Sequence, residues 1–88
     1  SAVIEKAQRE GVQDLDFRNF GLKKLPPTIG RLTELLRLTL AGNNLKTLPP
    51  QIGSLTKLRC LNCNSNKIES LPAEIVQCLA LEELKVAN

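Results

Sequence analysis

The chain has 88 residues and contains no histidine, methionine, tryptophan or tyrosine; phenylalanine occurs twice and cysteine three times. Without histidine the commonest general acid–base is missing. No glycine-rich phosphate loop is present, and no serine or cysteine has an identifiable base partner. The sequence therefore predicts no enzyme, no cofactor and no metal site. Without tryptophan and tyrosine the chain also lacks the usual base-stacking platforms and most interface anchors. Twelve basic residues stand against nine acidic ones. That small excess does not indicate a nucleic-acid partner. Lys23, Lys24, Arg31, Lys46, Lys57 and Lys67 fall mainly in connecting segments, where they are read as solvating the surface rather than forming a polyanion site. No apolar run approaches the ~18 residues of a membrane-spanning helix, so none is expected. No signal peptide is visible. With no initiator methionine, the chain reads as a processed product, a trimmed chain or an excised fragment, and that absence carries little weight.

What is present is one phrase repeated at a 23-residue step. Leu35, Leu38, Leu40, Leu45, Leu48, Ile52 and Leu55 return at Leu58, Leu61, Cys63, Ile68, Leu71, Ile75 and Cys78. One step back they are Val12, Leu15, Phe17, Leu22, Leu25, Ile29 and Leu32. A further copy opens at Leu81, Leu84 and Val86. Repetition at a short fixed period signals a solenoid, whose units bury their apolar faces only by stacking. Leu38, Thr39 and Leu40 alternate inward, outward, inward, as a half-buried strand does. From Leu48 to Leu55 apolar residues are spaced by three and four, which suits a helical turn with Pro49 near its start. Strands repeated with the same handedness must be parallel neighbours. The expected fold is α/β: a curved parallel sheet on the concave side and short helical turns on the convex side.

Asn43 and Asn66 fall at the bend after each strand. Their amides can bond backbone groups that have no ladder partner there. The first copy has Phe20 in that slot with Asn19 beside it, and Phe20 is read as part of an amino-terminal closure. Residues 1–11 are expected to form a helix or cap, with Ser1 capping it, Gly11 ending it, and Val3, Ile4 and Ala7 as its apolar stripe. Repeats then occupy 12–34, 35–57, 58–80 and, in part, 81–88. An uncovered last strand would expose leucines and unpaired backbone, so the chain is expected to be a fragment lacking its carboxy-terminal cap.

The phrases from Leu35 to Leu45 (LLRLTLAGNNL) and from Leu45 to Leu55 (LKTLPPQIGSL) resemble leucine-rich repeats, over residues 12 to 88. The LPxxIGxL half and the 23-residue step are similar to intracellular Ras-group scaffolds, of the Ras suppressor-like and Scribble-like kind. The resemblance implies protein–protein recognition on the concave face, in a cytoplasmic signalling scaffold or adaptor, with a small GTPase or another signalling protein as partner. Two alternatives remain open: a regulatory arm of a larger kinase or GTPase, or an architectural subunit of a large assembly. Phe20 and Cys63 depart from the pattern.

On such a sheet the outward residues form columns. One is Asp14, Arg37, Cys60 and Glu83; the next is Asp16, Thr39, Asn62 and Lys85; a third is Arg18, Ala41, Asn64 and Ala87. With Arg59, the polar members of these columns (Asp14, Asp16, Arg18, Arg37, Thr39, Asn62, Asn64, Glu83, Lys85) are the candidate partner-binding residues. A solvated face on a domain that binds elsewhere is the competing reading. Cys60 and Cys63 form a C-x-x-C. On a strand, residues three apart face opposite ways, so Cys60 is expected outside and Cys63 in the core, which suits neither zinc nor redox chemistry. Cys78 takes a leucine slot. Three thiols without a disulfide framework favour a reducing, intracellular setting.

Overall fold

The computed structural model describes residues 2–88; the expected cap at Ser1 lies outside the described residues. Helix α1 spans Ala2–Glu10. It ends at Gly11, which takes a left-handed φ of 59°. The Gly11 N–H donates to the Gln8 carbonyl and the Val12 N–H to the Ala7 carbonyl, both at 3.2 Å. This pair of bonds is the Schellman ending, whose left-handed residue costs glycine least. Ile4 and Ala7 are buried and Val3 is exposed, so the apolar stripe is narrower than expected. The helix packs against the first convex turn.

Four strands follow: β1 (Asp14–Asp16), β2 (Arg37–Thr39), β3 (Cys60–Asn62) and β4 (Glu83–Lys85). They form one parallel sheet in sequence order. Leu15 lies beside Leu38, Leu38 beside Leu61 and Leu61 beside Leu84. The strand register is thus the sequence period itself: each leucine slot lies against its own repeat.

The return path of each coil contains a short 3-10 turn: Pro27–Arg31, Pro50–Ser54 and Ala73–Gln77. Pro49 lies at the start of the second turn, as expected: it is the extended residue immediately before it (φ −71°, ψ 151°), and Pro50 is the first turn residue. The ring of a proline disfavours helical geometry in the residue before it, so only the second of two prolines can begin a turn. Pro26 and Pro27 repeat the arrangement.

Between sheet and turns lies a single core. Leu35, Leu40, Leu45, Ile52, Leu55, Leu58, Leu61 and Cys63 are wholly buried, and Leu38 nearly so. Burying each leucine contributes roughly 1.5–3 kcal/mol. The layer thins at β4, where Leu84 is 40% exposed.

The bends are held by the asparagines. Asn43 donates through Nδ2 to the carbonyls of Phe17 (3.0 Å), Leu40 (2.8 Å) and Ala41 (3.4 Å). Its Oδ1 accepts from the Phe20 and Leu22 N–H groups at 3.0 and 2.9 Å. Asn66 repeats the pattern, donating to Leu40, Cys63 and Asn64 and accepting from the Leu45 N–H. Each amide therefore ties its own bend to the preceding coil. The residue before each slot is left-handed: Asn19 (φ 57°), Gly42 (71°) and Ser65 (59°). Phe20, in the first slot, is 61% exposed and leans on Phe17, with ring centroids 5.5 Å apart. It meets the first coil through that ring contact and leaves most of its surface open.

Candidate functional site

The exposed face of the sheet brings the predicted columns together. Asp14, Arg37, Cys60 and Glu83 are consecutive neighbours across β1 to β4, and so are Asp16, Thr39, Asn62 and Lys85. Arg18 and Asn64 continue the face beyond the strand ends, and Arg59 sits one residue ahead of β3. A shallow depression of about 370 Å³ lies over β1 to β3, between Asp14, Asp16, Arg18, Arg37 and Asn62.

The charges on this face are paired among themselves. Arg37 meets Asp14 at 3.2 Å, Arg59 meets Glu82 at 3.5 Å and Lys85 meets Glu83 at 3.7 Å. Arg18 holds Asp16 at 2.9 Å and also donates its backbone N–H to Asp16 Oδ1. The bonds from Arg18, side chain first and backbone second, keep the Asp16 carboxyl below the usual range, and the guanidinium is raised in return. All these groups are largely exposed, so solvent screens each pair and little stability comes from them.

Two predicted binding residues have internal roles as well. Asn62 Oδ1 accepts from the Asn64 N–H at 3.0 Å, just as Asp16 does from Arg18. Asn64 Oδ1 accepts from the Ala87 N–H at 3.0 Å. Thr39 occupies the same repeat position as Asp16 and Asn62, but its hydroxyl is buried without a partner.

The thiols are structural in character. Cys63 is wholly buried, and burial pushes its thiol up to about 11. Cys78 is also raised by burial and donates to the Ile52 carbonyl at 3.2 Å. Both are neutral near pH 7, and a neutral thiol is a poor nucleophile and metal ligand. Cys60 is half-buried on the sheet face.

A family model described as a leucine-rich repeat region matches residues 12–88. The chain belongs to this leucine-rich-repeat family. Among solved structures it is similar to a leucine-rich-repeat protein of Leptospira interrogans, at 27% identity and a TM-score of 0.51. That likeness covers 96% of this chain and 34% of the other, so the chain spans about a third of the relative's length. Comparison with curated proteins gives no match. Leucine-rich-repeat domains are in general non-catalytic and generally bind other proteins. No helix among the described residues is long and apolar enough to cross a membrane.

A second concavity in this leucine-rich-repeat chain is larger, about 830 Å³, and lies at the edge where bends lead into convex turns. Lys23, Lys24, Lys46 and Lys67 line it. Along the sequence these lysines are scattered over connecting segments. One signal was available: Lys23 and Lys46 are a full repeat apart. The convergence of Lys24 and Lys67 on the same place depends on how the bends fold, which the period alone does not specify.

Proposed function

We propose that this chain is a non-enzymatic recognition module of the intracellular Ras-group type, a cytoplasmic scaffold or adaptor that binds a signalling protein on its concave sheet face. In this reading α1 closes the first coil, and a small GTPase is the partner that the LPxxIGxL phrase favours. The observation that carries the reading is the in-register face itself. Adjacent strands bring Asp14, Arg37 and Glu83, and Asp16, Asn62 and Lys85, onto one open surface of both charge signs. The twelve residues of the three columns, with Arg59, make a patch smaller than one side of a standard interface, which takes about 20–30 residues. Its charged pairs serve orientation and partner choice more than raw affinity. Free thiols on all three cysteines suit a reducing compartment.

The test is capture of purified small GTPases, in both nucleotide states, by immobilised chain. Arg37→Glu combined with Lys85→Glu is expected to abolish capture while leaving the melting temperature within a degree or two, because both side chains are largely exposed. Capture that survives the double change would remove the sheet face from the reading.

A further inference from the structure

The geometry points to the edge groove as a second binding surface, one that takes an extended acidic peptide segment with interspersed apolar residues. Of the twelve basic residues, five are held by a carboxylate at ion-pair distance: Arg18, Arg37, Lys57, Arg59 and Lys85. Every cation of the sheet face is in that set. Among the described residues, four of the seven unpaired cations are the lysines around the groove. No acidic residue lines it. The column of Lys23 and Lys46 passes next to Glu69, which lies outside the lining, so the basic character ends at the third coil. The chain's net positive charge is thus concentrated around a groove that no carboxylate lines, on lysines that none holds at ion-pair distance.

The shape narrows the ligand. Beneath the lysines lie the buried Leu25 and Leu48 and the prolines Pro27, Pro49 and Pro50. That floor is apolar and rigid, since proline has no N–H to solvate and its φ is fixed. At about 830 Å³ the space is in the range of ligand clefts. Lys23, Lys46 and Lys67 come from three successive coils, so they spread the charge over about 10 Å, the rise of about three extended residues. A lysine is a compact point charge on a flexible stem, without the fork that grips one phosphate from two sides. Separate point charges above an apolar floor fit carboxylates spaced along a chain whose apolar side chains face down. A single-stranded nucleic acid would satisfy the charges but would find no aromatic side chain in the groove on which to stack.

The proposal does not depend on the sheet-face reading, because the two surfaces share no residues. Its test is fluorescence anisotropy of a labelled ten-residue peptide alternating glutamate with leucine, titrated with the chain at low salt. The expected result is saturable binding that weakens about tenfold in the Lys23→Glu/Lys46→Glu variant. It should also weaken severalfold on moving from 50 to 200 mM salt, as exposed charges are screened. The Arg37→Glu/Lys85→Glu variant should bind within twofold of the parent. Breaking no ion pair, the groove variant should keep its melting temperature; a Lys23→Gln/Lys46→Gln variant supplies the same comparison without charge reversal. Equal affinity of parent and groove variants would overturn the proposal. So would equal binding of a glutamine–leucine peptide, or tighter binding of a ten-nucleotide oligothymidine than of the acidic peptide.

Discussion

Asn43 makes five hydrogen bonds to backbone groups of two successive coils, and a leucine of the same branching could make none of them. Asn43→Leu would leave buried carbonyls at Phe17 and Leu40 and the Phe20 and Leu22 N–H groups without that partner. Each such group costs about 1–3 kcal/mol when stranded. The expected loss is about 3–5 kcal/mol, read as a lower urea midpoint at unchanged slope. A loss below about 1 kcal/mol would show that water replaces the amide and that the ladder is incidental. Thr39 offers the opposite case. Its neighbours in the column, Asp16 and Asn62, accept from the N–H two residues on, of Arg18 and of Asn64, whereas the Ala41 N–H donates no such bond to Thr39. Thr39→Asn should supply it and remove a stranded hydroxyl, raising stability by about 0.5–1.5 kcal/mol in the same measurement. An unchanged midpoint would mean that solvent already satisfies Ala41.

The spacing between convex turns is set by two glycines. A methyl group added at Gly30 would lie 2.9 Å from the Gln51 carbonyl oxygen, and one at Gly53 would lie 2.7 Å from that of Glu74. Backbone cannot swing aside as a side chain can, so Gly53→Val must push the second and third turns apart. The cost should be about 1–3 kcal/mol. Val76 holds the same position in the third turn and is 75% exposed. Val76→Gly should therefore cost only the backbone-freedom penalty, below about 1 kcal/mol. Thermal unfolding of the two variants separates the cases, and equal costs would mean the glycines reflect turn conformation rather than close approach. The repeat shows this only in part. Leucine slots, strands and the helical turn were legible because each follows a simple period. The offset between Pro49 and Pro50 follows from sterics local to a proline pair. The turn-like bonds of Asp16 and Asn62 were not legible, since an outward polar residue looks the same whether it serves a partner or its own backbone.

At the largest scale, stability comes from contacts between neighbouring coils, because among the described residues each strand pairs only with its neighbours in sequence. The sheet face could be read from the same periodicity, since strand register and sequence period coincide. The lysine groove could not, because it draws on Lys23, Lys24 and Lys67, which occupy different repeat positions. Nearest-neighbour stacking makes a further demand. Leu61 packs between β2 and β4 with no exposed surface, while Leu84, its equivalent, has β3 on one side only. Truncating Leu61 opens a cavity shared by two interfaces, and Leu61→Ala should cost about 2–5 kcal/mol. Leu84→Ala removes a side chain already 40% exposed. It should cost less than about 1 kcal/mol, because little apolar area is lost from the core and water already reaches the site. Chemical denaturation of both variants decides the matter: were Leu84→Ala as damaging as Leu61→Ala, the chain would behave as one globular core rather than as a stack, and the coil-by-coil account of its energetics would fail.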